Sequence, residues 1–169
     1  MGKRGALYTV CYSHLDLAWL WSVDVTRQKI RRTVGDMISM HSMYPEIRFA
    51  WSNVAFLNWL EKDDPTLFER FRQAVKEGWI IPVGGMWVES DANLPGGESL
   101  VRQFLYGQKY LLNKFGKLAT IGWLPDTFGF PASLPQILRK AGIKAFFEAK
   151  LSWSTVNKYH TPYSCGRGD

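Results

Sequence analysis

The chain has 169 residues, 46% hydrophobic and 21% charged, a balance that excludes a disordered segment and leaves enough chain for one domain with its own core. The net charge of +6 admits nucleic acid as a partner, yet the basic residues are scattered. Their one tight cluster, Lys29, Arg31 and Arg32, reads as a solvated helix face, and no basic patch interleaved with aromatics supports nucleic-acid binding.

No apolar run reaches the length of a membrane span, so no membrane partner is expected. Met1 to Ala6 is basic, but the apolar stretch that follows soon meets His14 and Asp16, which makes a poor signal peptide. Two cysteines, Cys11 in an apolar strand and Cys165 in an irregular tail, do not form a disulfide framework; a reducing cytoplasm is the expected location.

In chain order, residues 7–13 read as a buried strand and residues 24–43 as an amphipathic helix with Ile30, Val34, Met37 and Ile38 on one face, ended by Pro45. A strand over 47–52 and a short helix over 54–61 follow. Asp64 and Pro65 then start another helix as N-cap and first-turn residue, with Leu67, Phe68, Phe71 and Val75 as its apolar stripe and Gly78 as its stop. The spacing predicts a strand over 79–83, a Gly- and Pro-rich loop over 84–97, a long helix over 99–115 and a strand over 119–124. A helix over 133–141, closed by Gly142, and a strand over 143–148 complete the series. Continuously apolar strands alternating with helices indicate an α/β fold with parallel strands covered on both faces. Reactive groups in such folds sit at the carboxyl ends of the strands.

Polar residues do cluster there. His14 and Asp16, at the end of the first strand, share a face in extended chain and suit a nitrogen and an oxygen ligand of one metal; a hydrogen-bonded His–Asp pair at a helix start is the plainer alternative. Asp126 follows an apolar strand directly and enters a tight turn at Phe128 and Gly129. It suits a nucleophile or a metal ligand, or else a carboxylate that caps the turn. In the third cluster, Gly84 and Gly85 let the backbone pass close to a neighbour. Trp87, Glu89 and Asp91 alternate and would share a face if extended, as a sugar-binding wall does. Glu98 reads as a helix-start residue favoured by the dipole. His41, among methionines on the long helix, and His160, in the tail, are not candidate ligands.

Three blocks in this order resemble the α-mannosidases of glycoside hydrolase family 38: His14-x-Asp16-x-x-Trp19, Gly84-Gly85-x-Trp87-Val88-x-x-Asp91, and Trp123-x-x-Asp126-x-Phe128-Gly129. A fourth, Gly97-Glu98-Ser99-Leu100-x-Arg102-Gln103, is similar to the cytosolic, vacuolar and bacterial branch of that family. The resemblance spans about residues 7 to 159. It implies a seven-stranded β/α barrel, of which residues 1–169 are an N-terminal part, apparently truncated. It further implies that His14 and Asp16 bind zinc, that Asp126 both binds zinc and attacks the anomeric carbon, and that Trp19 forms part of the sugar platform. Trp87 and Asp91 would line the sugar. Lys150 stands where some members carry an arginine, a departure within the family pattern.

The activity implied is retaining hydrolysis of terminal α-mannosides in glycans through a covalent glycosyl-enzyme, with zinc as template and Lewis acid and cobalt as another ion the donor set accepts. The family's acid/base carboxylate and a further zinc-binding histidine lie beyond these residues. Five strands of a closed barrel leave open edges, so the isolated chain is expected to be poorly stable and inactive. Homo-oligomerisation of the full-length protein stays open. A metal-dependent polysaccharide deacetylase and a non-catalytic sugar-binding remnant are the alternatives.

Overall fold

A computed structural model describes residues 8–151 and 153. Ten elements follow in order: β1 (Cys11–Tyr12), α1 (Val23–Met43), β2 (Phe49–Trp51), α2 (Val54–Asp63), α3 (Pro65–Glu77), β3 (Ile80–Pro82), α4 (Gly97–Phe115), β4 (Ile121–Leu124), α5 (Leu134–Lys140) and β5 (Ala145–Glu148). All paired strands are parallel, β1 with β2, β2 with β3, and β4 with β5. The Gly84 amide donates to the Ile121 carbonyl at 2.7 Å, tying the end of β3 to the start of β4. The strands form a three-stranded sheet, β1-β2-β3, and a two-stranded sheet, β4-β5, each in chain order, with helix between consecutive strands. A doubly wound sheet, by contrast, reverses its order at a switch point.

The two sheets follow one curve. Flat, β1 and β4 would lie roughly 14 Å apart, three spacings of about 4.8 Å. Instead the Tyr12 ring on β1 meets the Trp123 ring on β4 with centroids 5.1 Å apart. The strand ends therefore converge on one concave side.

Helix signals in the sequence act as expected. Asp64 Oδ1 accepts from the Leu67 amide at 2.9 Å, Pro65 occupies the first turn of α3, and Gly78 closes it at φ 87°. Phe68, Phe71, Ala74 and Val75 are the buried face of α3, and Ile30, Val34, Met37 and Ile38 lie on that of α1. These side chains share one core cluster with β2 and α2; a second cluster joins Leu100 and Phe104 of α4 to Leu134, Ile137 and Leu138 of α5. Gln108, buried in α4, brackets Ala119 with two hydrogen bonds, 2.8 Å to its carbonyl and 2.9 Å from its amide. That clamp fixes the entry to β4.

The expected buried strand over 7–13 differs from what forms. Residue 7 lies outside the described residues, β1 is two residues long, Tyr8 and Val10 are exposed, and so is Cys11. The physical reason is position: β1 has β2 on one side and no strand on the other among the described residues, so little covers its flanks. Cys165 and His160 fall outside the described residues. His41 is half-buried, stacked on Trp79 at 4.0 Å with planes 9° apart, a structural role. The basic cluster on α1 is only partly solvated: Arg32 is exposed, while Arg31 lies 3.6 Å from Asp63 and Lys29 sits over the Trp21 ring. No described helix is long and apolar enough to cross a membrane.

Candidate metal centre

Five loops meet at the carboxyl ends of the strands. The loop after β1 carries His14 and Asp16, and β2 leads into Ser52 and Asn53. The loop after β3 carries Glu89 and Asp91, the turn after β4 carries Asp126 and Thr127, and Lys150 follows β5. His14, Asp16, Glu89, Ser90, Asp91, Asp126, Thr127 and Phe128 line a cleft of about 230 Å³. That is below the roughly 300–1,000 Å³ of drug-sized pockets and suits a small polar group.

At its floor His14 Nε2 lies 3.5 Å from Asp16 Oδ1 and 3.4 Å from Asp126 Oδ2. One ligand atom from each of these three residues falls within 4.8 Å of the others. The two separations from His14 Nε2 match a shared cation. Zinc bonds of about 2.0–2.2 Å in a tetrahedron place neighbouring ligand atoms roughly 3.3–3.6 Å apart. Two acidic oxygens and one imidazole nitrogen form a donor set that zinc accepts, and three protein ligands leave room for water or substrate.

The loop after β1 is held from α1. Buried Thr26 donates to the Leu17 carbonyl at 2.8 Å, and Trp21 Nε1 donates to Thr26 Oγ1 at 2.9 Å. The turn after β4 is tied to the β3 loop where Thr127 Oγ1 donates to the Ser90 carbonyl at 3.0 Å. Asp126 Oδ1 faces Lys150 Nζ at 2.5 Å. The Lys150 side chain is only 10% exposed, with its ammonium over the Phe128 and Trp153 rings. Asp126 therefore has one oxygen against a cation and the other turned toward His14.

Glu89 is the residue that alternation alone did not place. Its side chain is 8% exposed; Oε1 accepts from Tyr12 and Ser52, and Oε2 lies 3.2 Å from His14 Nδ1. The bond to Glu89, with the charges of Glu89, Asp126 and Asp16, raises the His14 pKa against a desolvation that opposes it. Burial, reinforced by Glu89, pushes the Tyr12 phenol well above its ordinary value, so it stays a donor. The signal for Glu89 was an acid in a loop after an apolar strand; its partners, 37 to 77 residues away in sequence, were not visible.

The remaining sequence candidates divide. Asp91 lines the cleft, and its Oδ1 accepts from the Asn93 and Leu94 amides at 2.8 Å each, so it also shapes its own turn. Trp19 is 69% exposed and edge-on to Trp21. Trp87 is not on the cleft. The chain bends at residues 86–88, so the alternation with Glu89 and Asp91 fails; the Trp87 ring packs on the core, edge-on to Tyr110 at 6.0 Å. Its amide donates to Gln103 and its carbonyl accepts from Ala55, which hold that orientation.

The sequence and fold are similar to those of known proteins. Residues 4–163 match the model of the glycosyl hydrolases family 38 N-terminal domain. The chain is 44% identical over 153 residues to alpha-mannosidase G of Dictyostelium discoideum, covering 90% of this chain and 14% of that protein. It is 42% identical over 157 residues to human alpha-mannosidase 2C1, covering 93% and 15%. The crystal structure of an alpha-mannosidase from Enterococcus faecalis V583 superposes with a TM-score of 0.75 at 26% identity, over 82% of this chain and 16% of that one. The chain thus spans about one-seventh of the length of these curated relatives. With the family model matched over residues 4–163 and alpha-mannosidases 42–44% identical across at least 90% of its length, the chain belongs to glycoside hydrolase family 38, within the family's N-terminal domain.

Proposed function

We propose that the protein carrying this chain is a retaining α-mannosidase that releases terminal mannose from glycans, with zinc held by His14, Asp16 and Asp126. The observation that carries this reading is the convergence of those three residues from two distant strand ends, with both carboxylates at 3.4–3.5 Å from His14 Nε2 and all three ligand atoms within 4.8 Å. A bound zinc would act as template and Lewis acid for the sugar hydroxyls.

The protein's own groups supply the rest. Asp126 is the nucleophile, its carboxylate attacking the anomeric carbon as the glycosidic bond breaks. The leaving oxygen takes a proton from a carboxylic acid outside the described cleft. Water, deprotonated by that same group, then displaces Asp126 from the sugar, and two inversions give net retention. Lys150, 2.5 Å from Asp126 Oδ1, orients that carboxylate and offsets its charge as the ester forms and breaks. Trp19, exposed beside the cleft loop, offers a face for the sugar ring, and Asp91 a carboxylate for its hydroxyls. Trp87 supports the loop from behind.

In this reading the five strands are an arc of a seven-stranded barrel, residues 1–169 being an N-terminal part of the catalytic domain. The sequential parallel order, the Tyr12–Trp123 contact and the strand edges of β1 and β5, unpaired among the described residues, support it. The resemblance to the cytosolic branch supports a cytoplasmic location; whether subunits associate is a matter for the full-length protein.

The test is hydrolysis of an aryl α-mannoside by the full-length protein, followed by proton NMR of the first product anomer, before and after chelation. Release of α-mannose, lost on chelation and restored by zinc, is expected. Initial β-mannose would refute retention, and chelator-insensitive turnover would refute the metal. Release of acetate from an acetylated polysaccharide, without mannose release, would replace the reading with a deacetylase.

A further inference from the structure

We propose that Glu89 is a positioning residue that fixes the tautomer and plane of His14, so that Nε2 presents its lone pair to the metal; this rests on the zinc reading above. Glu89 is itself firmly held. Its amide donates to Asn53 Oδ1 at 2.6 Å. Asn53 is buried and adopts φ 62°, the left-handed region in which asparagine is one of the few tolerated side chains. Among the described non-glycine residues it alone has positive φ. Strain of this kind persists where the surroundings over-determine it, and it gathers at functional sites. Tyr12 and Ser52 both contact Oε1, and their own oxygens lie 2.8 Å apart. Two strands and two loops therefore converge on one carboxylate.

A purely structural anchor would need only Oε1 and the amide. Oε2 is buried and makes no hydrogen bond, and His14 Nδ1 lies 3.2 Å from it as an ion-pair contact, so this oxygen is unspent and faces the histidine. An ionised carboxylate accepts and cannot donate. With Oε2 placed to accept an Nδ1 proton, Nε2 is the nitrogen left to offer its lone pair to a metal. Nε2 is the nitrogen that faces Asp16 Oδ1 and Asp126 Oδ2. Glu89 itself is not among the three residues whose ligand atoms converge. It sits behind the histidine, where a carboxylate orients a ligand rather than replacing it.

The experiment uses the full-length protein. Zinc affinity is measured against a chromophoric chelator for wild type, Glu89→Gln, Glu89→Leu and Ser52→Ala, with circular dichroism to show that each is folded. Losing an outer partner of a metal-bound histidine weakens affinity roughly 10–100-fold. Glu89→Leu should approach the upper figure and Glu89→Gln, which keeps an acceptor, the lower. Ser52→Ala, which keeps Tyr12 on Oε1, should lose less than either. The visible spectrum of the cobalt-loaded protein should change in the Glu89 variants, a signature that a general loss of rigidity would not produce at unchanged circular dichroism. Should the Glu89 variants not fold, the wild type decides: with cadmium-113 bound and histidine labelled with nitrogen-15, metal coupling should fall on His14 Nε2 and the proton on Nδ1. Coupling at Nδ1, or Glu89 variants that hold zinc within twofold of wild type, overturns the proposal while leaving the zinc reading intact. A wild type that takes up no zinc overturns both.

Discussion

Replacing Gly107 by alanine tests whether the loop after β3 is held by close backbone packing. Gly107 lies in α4 where the helix crosses the loop after β3. A Cβ there would stand 2.3 Å from the Gly85 carbonyl oxygen, 2.7 Å from the Met86 carbonyl carbon and 2.9 Å from that of Gly85. Ordinary carbon contacts begin near 3.5 Å, so helix and loop would have to part by roughly 1 Å. Neither side yields readily. α4 is clamped to Ala119 through Gln108 and to Trp87 through the Gln103 carbonyl. Gly85 itself has φ 74°, a conformation its neighbours would have to preserve.

Overpacking of this sort costs about 1–3 kcal/mol, and contact with backbone places it at the upper end. Alanine returns about 1 kcal/mol of helix propensity, for a net loss of about 2 kcal/mol. Gly35 supplies the control. It sits inside α1 with nothing within 4 Å of an added Cβ, so Gly35→Ala should stabilise by about 0.8–1 kcal/mol. Thermal unfolding of the two variants should therefore move in opposite directions, with the domain's midpoint falling roughly 4–8 °C for Gly107→Ala. Because the displaced loop carries Glu89 and Asp91, metal affinity should fall with it. A Gly107→Ala protein as stable as Gly35→Ala would refute the close-packing argument outright.

Asp126→Asn should remove turnover of an aryl α-mannoside by at least about 10⁴-fold, the scale on which essential groups act together, with circular dichroism unchanged. Lys150→Met leaves Asp126 Oδ1 without its cation and should lower kcat about 10–100-fold, as expected for one charge-assisted bond of roughly 1.5–3 kcal/mol; Lys150→Arg should recover most of it in steady-state kinetics. The third concerns stability and pH. Arg27 hydrogen-bonds Asp63 and holds its carboxyl below the usual carboxylate value. A depressed folded pKa contributes stability above the unfolded value, about 3.9, and loses it as pH falls through the lower folded value. Melting midpoints of wild type and Asp63→Asn should thus differ by a constant amount above about pH 5 and converge toward pH 3; a constant gap throughout would sink the linkage.

Helices were legible because their signals are local. Asp64 caps the start of α3, Pro65 fills its first turn and Gly78 closes its end, so α3 needed no distant information. β1 was not, since whether an apolar run becomes a long buried strand depends on neighbours that no residue within 7–13 specifies. Trp87 shows the same limit at the site. Alternation assumes extended chain, and the bends at 86–88 come from bonds to Gln103 and Ala55, each well separated in sequence. His14, Asp16 and Asp126 are legible from their place just past apolar strands together with the family blocks they belong to, since the residues alone fit a His–Asp pair or a turn cap equally well. Asn53 carried a weaker sign, an asparagine directly before a helix, which reads as an ordinary cap until its φ of 62° and its bond to Glu89 are known.

Sheet curvature explains why the site could be named residue by residue yet not assembled. His14 and Asp126 are 112 residues apart, and β1 and β4 are not neighbours in the sheet. Their side chains meet only because the strands curl until Tyr12 reaches Trp123. The same closure delivers the Tyr12 hydroxyl to Glu89 from one edge of the arc while Trp123 stacks on Phe147 of β5 at the other. Tyr12 thus joins fold and chemistry: its ring fixes the separation of the two strand ends, and its hydroxyl fixes the carboxylate behind His14. Tyr12→Phe keeps the first of these and removes the second. It should leave the unfolding midpoint nearly unchanged relative to Tyr12→Ala while sharing the weakened zinc affinity of the Glu89 variants. Equal losses of stability in the two Tyr12 variants would show that the hydroxyl holds the fold rather than the metal centre.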